Sequence, residues 1–334
     1  MLTRKKVAAI GVLLLAIALA VSLPLLLRQM QLNAGPQNSI KVAYAGAPLE
    51  ALTFIAKDYG FFSQEGVSVE LDQVIPTLAL PGLLAGQYQI SMFASPNLVS
   101  FMSRGVPVVI IAHGLYIPKN PQGVTMDGII VRKGLGITSP KDLEGKVVGV
   151  SAFGSVLDID FRMFVKNNNI DLSQIQYQEI PPAQVGSLME AGKLDAYMAS
   201  QPQIVSLVSA GVAIVYTYNN WVPENYFSST YTTSKSFLEN NPNLLSRFVL
   251  ALQKAASFMS QNSTAYYQTV SKYTKVSADL LREFPIPVPV GGNTLSIDMS
   301  ILRGTETVQL QMGLISSEVD FSKFVDGRFV GLTQ

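Results

Sequence analysis

Cysteine is missing from all 334 residues, and histidine and tryptophan occur once each, as His113 and Trp221. The first absence removes disulfides, thiolate metal sites, iron–sulfur clusters and a cysteine nucleophile together. With a single imidazole, a zinc centre or a Ser-His-Asp triad has only His113 to build on. Charge is scarce too: 14% of residues, 24 basic against 23 acidic, for a formal net charge of +1. That balance, without any basic run, argues against a nucleic-acid partner. Nothing in these residue types calls for a cofactor.

What is present is apolar, at 48% hydrophobic residues, and it repeats. Ala85–Val109 lies over Ala191–Val215 without a gap at an offset of 106. Identical pairs are Ala85/Ala191, Gly86/Gly192, Met92/Met198, Pro96/Pro202, Val99/Val205, Ser100/Ser206, Ser103/Ser209, Gly105/Gly211, Val106/Val212 and Val109/Val215. Each copy reads as a helix ending at Ala-Gly, a short buried strand, a Pro suited to a first helical turn, a helix closed by Gly, and a second buried strand. So long a spacing is wrong for a solenoid and right for two like-built lobes, each with its own core. Convergent patterning within one large sheet is the plainer alternative.

Residues 1–30 read as an address. Arg4, Lys5 and Lys6 precede an almost unbroken apolar run, Val7 to Leu27, long enough to cross a bilayer. The basic residues place the N-terminus in the cytoplasm and the body outside. Ala18-Leu19-Ala20 offers a cleavage site, but the run continues past it, so an uncleaved membrane anchor is the expectation, followed by a tether over 31–39. Beyond it the expected organisation is a first lobe over 40–128, a second over 129–222, and a return to the first over 223–334.

Within the body, strand and helix patterns alternate, which implies α/β lobes with mostly parallel sheets covered by helices on both faces. Ile40–Tyr44 is the first strand, with a helix from Pro48. Val67–Leu71 is the second, followed by a helix for which Thr77 is a candidate cap. Lys146–Val150 opens the second lobe, Phe153-Gly154-Ser155 turns into a helix ending near Asn167, and Ile175–Ile180 is a strand. Tyr216–Tyr231 reads as the return crossing. Asn241-Pro242 starts the longest helix after the anchor, with further helices expected around Asp279–Phe284 and Asp298–Leu314.

Four stretches, in order, carry a resemblance: KVAYAGAPLEALTFIAKDYGFFSQEGVSVEL (41–71), LLAGQYQISMFASP (83–96), GIIVRKGLGITSPKDLEGKVVGVSAFGS (128–155) and LMEAGKLDAYMASQP (188–202). Together they resemble the solute-binding proteins of ABC importers for nitrate, sulfonates, taurine and thiamine pyrimidines, over roughly residues 40–258. The resemblance implies a type II periplasmic-binding-protein fold, two lobes closing on a small, anionic or zwitterionic solute. It also implies presentation of that solute to a membrane permease and its ATPase on the extracytoplasmic side. Relatives on this scaffold include a thiamine-pyrimidine synthase and a sulfinate-cleaving enzyme, which rely on cysteines that this chain lacks. A tethered sensor is a third reading.

The family's ligand loops fall on Tyr44–Pro48, Pro76-Thr77, Ser95-Pro96, Phe153–Ser155 and Gln201-Pro202. This gives nine candidate contacts: Tyr44, Gly46, Ala47, Thr77, Ser95, Phe153, Gly154, Ser155 and Gln201. Independently, these turns follow strands and open helices, where free N–H groups and the positive dipole end suit an oxyanion. Ser95 and Ser155 read equally well as helix caps, and Tyr44 and Phe153 as packing aromatics. The family often has an aromatic and an acidic residue before the second lobe's Pro, where this chain has Ser200-Gln201. Asp158 suits the helix dipole or a cationic amine, His113 is a loop residue or a pH-sensitive one, and Trp221 is hinge packing or a stacking surface.

Overall fold

A computed structural model describes residues 38–118, 125–222, 226–283 and 285–334. The anchor expected over residues 1–30 lies outside these, as does most of the tether. Among the described residues no helix is long and apolar enough to cross a membrane.

The unit from Ile40 to Gln334 is built on two five-stranded sheets. The first holds β1 (Ser39–Tyr44), β2 (Ser68–Gln73), β3 (Ile90–Ala94) and β4 (Val108–His113). The second holds β6 (Asp127–Arg132), β7 (Val147–Val150), β8 (Gln176–Glu179), β9 (Ala196–Ser200) and β10 (Ala213–Tyr218), β5 being the short Leu115–Tyr116. β11 (Ser229–Ser234) returns to complete the first sheet. The orders are β2-β1-β3-β11-β4 and β8-β7-β9-β6-β10. In each, the fourth strand runs antiparallel to both neighbours, so the sheets are mixed and not mostly parallel as the sequence suggested; in the first it is β11, which returns after the second sheet is built, and in the second it is β6, by which the chain enters that sheet. The sheets therefore share one design of strand order and direction.

The repeat seen in the sequence extends through this design. The last residues of β1 and β7 (Tyr44, Val150), of β2 and β8 (Gln73, Glu179), and of β3 and β9 (Ala94, Ser200) are each 106 apart.

Apolar patterning explains the layers. β4 is VVIIAH with every residue buried, as a central strand covered on both faces requires. One face of the first sheet packs on Ala51–Asp58 and the long Pro242–Gln261 helix, where Leu245, Phe248, Leu252 and Ala255 recur at three- and four-residue spacing and are fully buried. Phe248 stacks on Phe62 at 5.0 Å, and each such aromatic contributes about 1.5–3 kcal/mol by leaving water. The opposite face packs on Ser95–Ser103 and Met299–Gln311. The second sheet is covered by Val156–Asn167 on one side and by Val185–Glu190 and Gln203–Ser209 on the other.

Three expectations change. Thr77 caps nothing: the helix is Pro76–Leu84, Ile75 precedes it, and Thr77 is an exposed residue of its first turn. The return passage is two strands, with β10 running to Tyr218 and β11 starting at Ser229. Near the C-terminus a full helix, Ser263–Thr274, precedes the single turn Ala278–Leu281. Its sequence, STAYYQTVSKYT, hides an apolar stripe behind tyrosines and threonines.

Candidate functional site

The turns after β1 and β7 are built alike. Gly46 has φ +90° and Gly154 has φ +74°, the left-handed region open to glycine, and both turn the chain into a helix. The N–H groups these turns expose are already held. Glu50, buried at the start of the following helix, accepts from Ala45 (2.8 Å), Gly46 (2.8 Å) and Ala47 (2.7 Å). Burial pushes its carboxyl above the ordinary range, opposed by those three N–H groups. In the second lobe Asp158 Oδ2 accepts from Gly154 at 2.8 Å, and Glu179 accepts from Phe153 at 2.5 Å. Each turn thus carries its own carboxylate where the sequence suggested an open oxyanion seat.

The other candidates are similarly placed. Tyr44 is half-buried and edge-on to Phe54 (5.3 Å) and Tyr273 (6.2 Å). Ser95 is fully buried, its hydroxyl donating to Tyr226 O (3.2 Å) and accepting from Ser228 N (3.1 Å), so it ties the Ser95–Ser103 helix to the crossing chain. Ser155 caps its helix, accepting from Asp158 N at 3.3 Å. Phe153 is 49% exposed with its ring 5.4 Å from Tyr177. Gln201 precedes a cis Pro202, is buried, donates its N–H to Met126 O at 2.7 Å and accepts from Val205 N at 3.3 Å.

A cavity of about 630 Å³ opens beside the two segments that cross between the sheets, and none of these nine residues lines it. Its wall comes from Tyr116–Pro118 and Thr125–Asp127, from Asn219, Val222, Tyr226 and Phe227, from Asp160, and from Pro289–Gly292, Asp298, Ser300 and Ile301. The volume suits a small molecule, and a junction between lobes is where such sites form. Trp221 stands behind this wall: its Nε1 donates to Asp160 O at 2.8 Å and its ring packs 4.9 Å from Phe164. It is joined there by Ile159, Met163, Tyr226 and Val308, a cluster that glues the second lobe's helix to the Met299–Gln311 helix.

His113 is the last residue of β4 and fully buried, with Nδ1 accepting from Asp298 N at 3.1 Å. Burial lowers its pKa to about 4, with Asp298 opposing. It is neutral near pH 7, so it is neither the loop residue nor the near-neutral pH sensor that the sequence suggested.

The pattern of the NMT1/THI5-like family matches residues 48–265, spanning both sheets. The chain belongs to the NMT1/THI5-like family. A candidate thiamine biosynthesis protein of Haemophilus influenzae is 25% identical over 251 residues, 70% of this chain and 73% of that protein. A candidate binding protein of Brucella abortus is 23% identical over 152 residues; the match spans 45% of this chain and about half (47%) of that relative's length. Among solved structures, the alkanesulfonate-binding protein SsuA of Xanthomonas axonopodis pv. citri, bound to MOPS, superimposes with a TM-score of 0.68 at 14% identity. That superposition covers 88% of this chain and 99% of that one. At such identity the likeness establishes the shared α/β periplasmic-binding-protein fold.

Asp127, Asp160, Asn219 and Tyr226, which meet at the cavity, were missed by sequence reasoning. One signal was available: in VLDIDFRMF, Asp160 stands on the helix face otherwise taken by Ile159, Phe161, Met163 and Phe164, where a carboxylate needs a reason.

Proposed function

We propose that this protein is the extracytoplasmic solute-binding component of an ABC importer, capturing a small molecule between its lobes at the crossing segments and handing it to a membrane permease. The observation that carries this reading is the pairing of two sheets of matching strand order, the first completed by β11 after the chain has built the second, with a ligand-sized cavity where the chain passes between them. Such an arrangement couples occupancy of the cavity to the relative position of the lobes, because the same segments line the one and join the other. The family relatives and the fold shared with SsuA support a binding role. The only imidazole is buried behind Asp298 and does not itself line the cavity, and no thiol exists, which weighs against the enzymes built on the same scaffold.

The test is thermal unfolding of the purified protein against sulfonates, nitrate, bicarbonate, amino acids and pyrimidines. A true ligand at 100 times its dissociation constant stabilises by about 2.7 kcal/mol. A saturable rise in Tm with one class supports the reading; a flat response across all of them contradicts it.

A further inference from the structure

Among the described residues, the charged groups on the cavity wall are all of one sign. Asp127, Asp160 and Asp298 line it, and no Lys, Arg or His does so among the described residues. Asp298 is accounted for: its Oδ1 accepts from Ser300 N at the start of the Met299–Gln311 helix, where a negative charge belongs. Asp127 and Asp160 have no cationic partner among the described residues. Asp127 accepts from the Ser200 hydroxyl. Asp160 is 2% exposed, with Oδ2 accepting from Asn219 Nδ2 at 2.6 Å. Its Oδ1 and the Asn219 Oδ1 are buried acceptors without a hydrogen-bond partner. The Tyr226 hydroxyl draws the Asp160 pKa down yet ends short of a formed hydrogen bond.

An acceptor left unpaired in the interior costs on the order of 1–3 kcal/mol, and more for a charged group. Two carboxylates without a cation also repel each other. Burial, and then the charge of Asp127, raise the Asp160 pKa well above its usual value, and burial raises that of Asp127 to about 6. A guest that brings N–H donors and positive charge answers both penalties; an anion makes both worse.

Resting on the receptor reading above, we infer that the cavity at the crossing segments takes the ammonium or amidinium group of a nitrogen-bearing solute, held by Asp127, Asp160 and the Asn219 carbonyl oxygen. A zwitterion enters by its cationic end. This reverses the charge preference that the helix-start turns suggested, and those turns are already filled by Glu50 and Asp158.

Matched pairs that differ only in the nitrogen group test this on the full chain by calorimetry and thermal shift: taurine against ethanesulfonate, putrescine against 1,4-butanediol, and benzamidine against benzamide. In at least one pair the amine or amidine member should bind about tenfold or more tightly, the scale of a charge-assisted hydrogen bond. Asp127→Asn and Asp160→Asn should each erase that preference. Asp160→Asn risks the fold through its tie to Asn219, so the half-buried Asp127→Asn and the wild-type pairs decide independently. If a solute binds and its nitrogen-free partner binds equally well, the inference is overturned while the receptor reading stands. If neither these pairs nor the wider solute panel shift Tm, both fall.

Discussion

Glu50 folds back on Gly46, its Oε2 2.8 Å from the glycine N–H, and Asp158 does the same to Gly154 in the other lobe at the same 2.8 Å and the same four-residue separation. The two lobes have each placed a carboxylate of their own in the seat that a helix start offers an anion.

Glu50→Ala should therefore unmake the first turn. Three partly buried N–H groups lose their acceptor, a cost of about 1–3 kcal/mol. Sulfate should restore part of the lost Tm in the variant and do little to the wild type. Thermal unfolding with and without sulfate reads both effects.

His113 gives acid sensitivity of a definite sign. Its folded pKa is about 4 against 6.5 in the free side chain. As pH falls from 6.5 to 4 the unfolded chain takes up the proton first, so stability is lost across that window, by about 3 kcal/mol in all. His113→Gln should remove this loss, as urea unfolding at stepped pH would show.

Asp127 acts oppositely. Its folded pKa is raised to about 6 from 3.8. Its contribution is fully present below 3.8 and is lost as pH rises through 6. Asp127→Asn should flatten that limb and leave the His113 limb intact, so the two variants separate opposing slopes in the same titration.

How much of this was legible in the sequence depends on what each feature required. The sheets were, because buried strands such as VVIIAH and the Ala-Gly, Pro, Gly punctuation of the repeat state their structure locally. The turns at Gly46 and Gly154 were also readable as turns. What fills them was not, because Glu50 and Asp158 reach back by rotamer choice that spacing alone leaves open. The cavity was least legible: Asp127, Asp160 and Asn219 are distant along the chain and meet only because β6 lies beside β10 and the Val156–Asn167 helix packs over their sheet. Ser95 shows the same limit, its hydroxyl spent on Tyr226 and Ser228, more than a hundred residues away.

Gly291 lines the cavity with φ +66°, and a Cβ there would sit 2.0 Å from Ser296 Oγ and 2.8 Å from Ser296 N. Gly291→Ala combines backbone strain with a clash against backbone. It should cost about 1–3 kcal/mol and weaken solute binding by shifting the wall. The cavity-distant Gly134→Ala, also at positive φ but with open space around it, isolates the strain alone.

Capture between two moving lobes makes the most direct demand. The chain has no native thiol, so Thr77→Cys and Ala183→Cys, exposed residues 106 apart in equivalent turns, can carry a donor and acceptor pair without background labelling. Energy transfer between them should rise saturably with the solute that raises Tm, at the same midpoint. A solute that stabilises the protein and leaves transfer unchanged would contradict closure of the lobes around it.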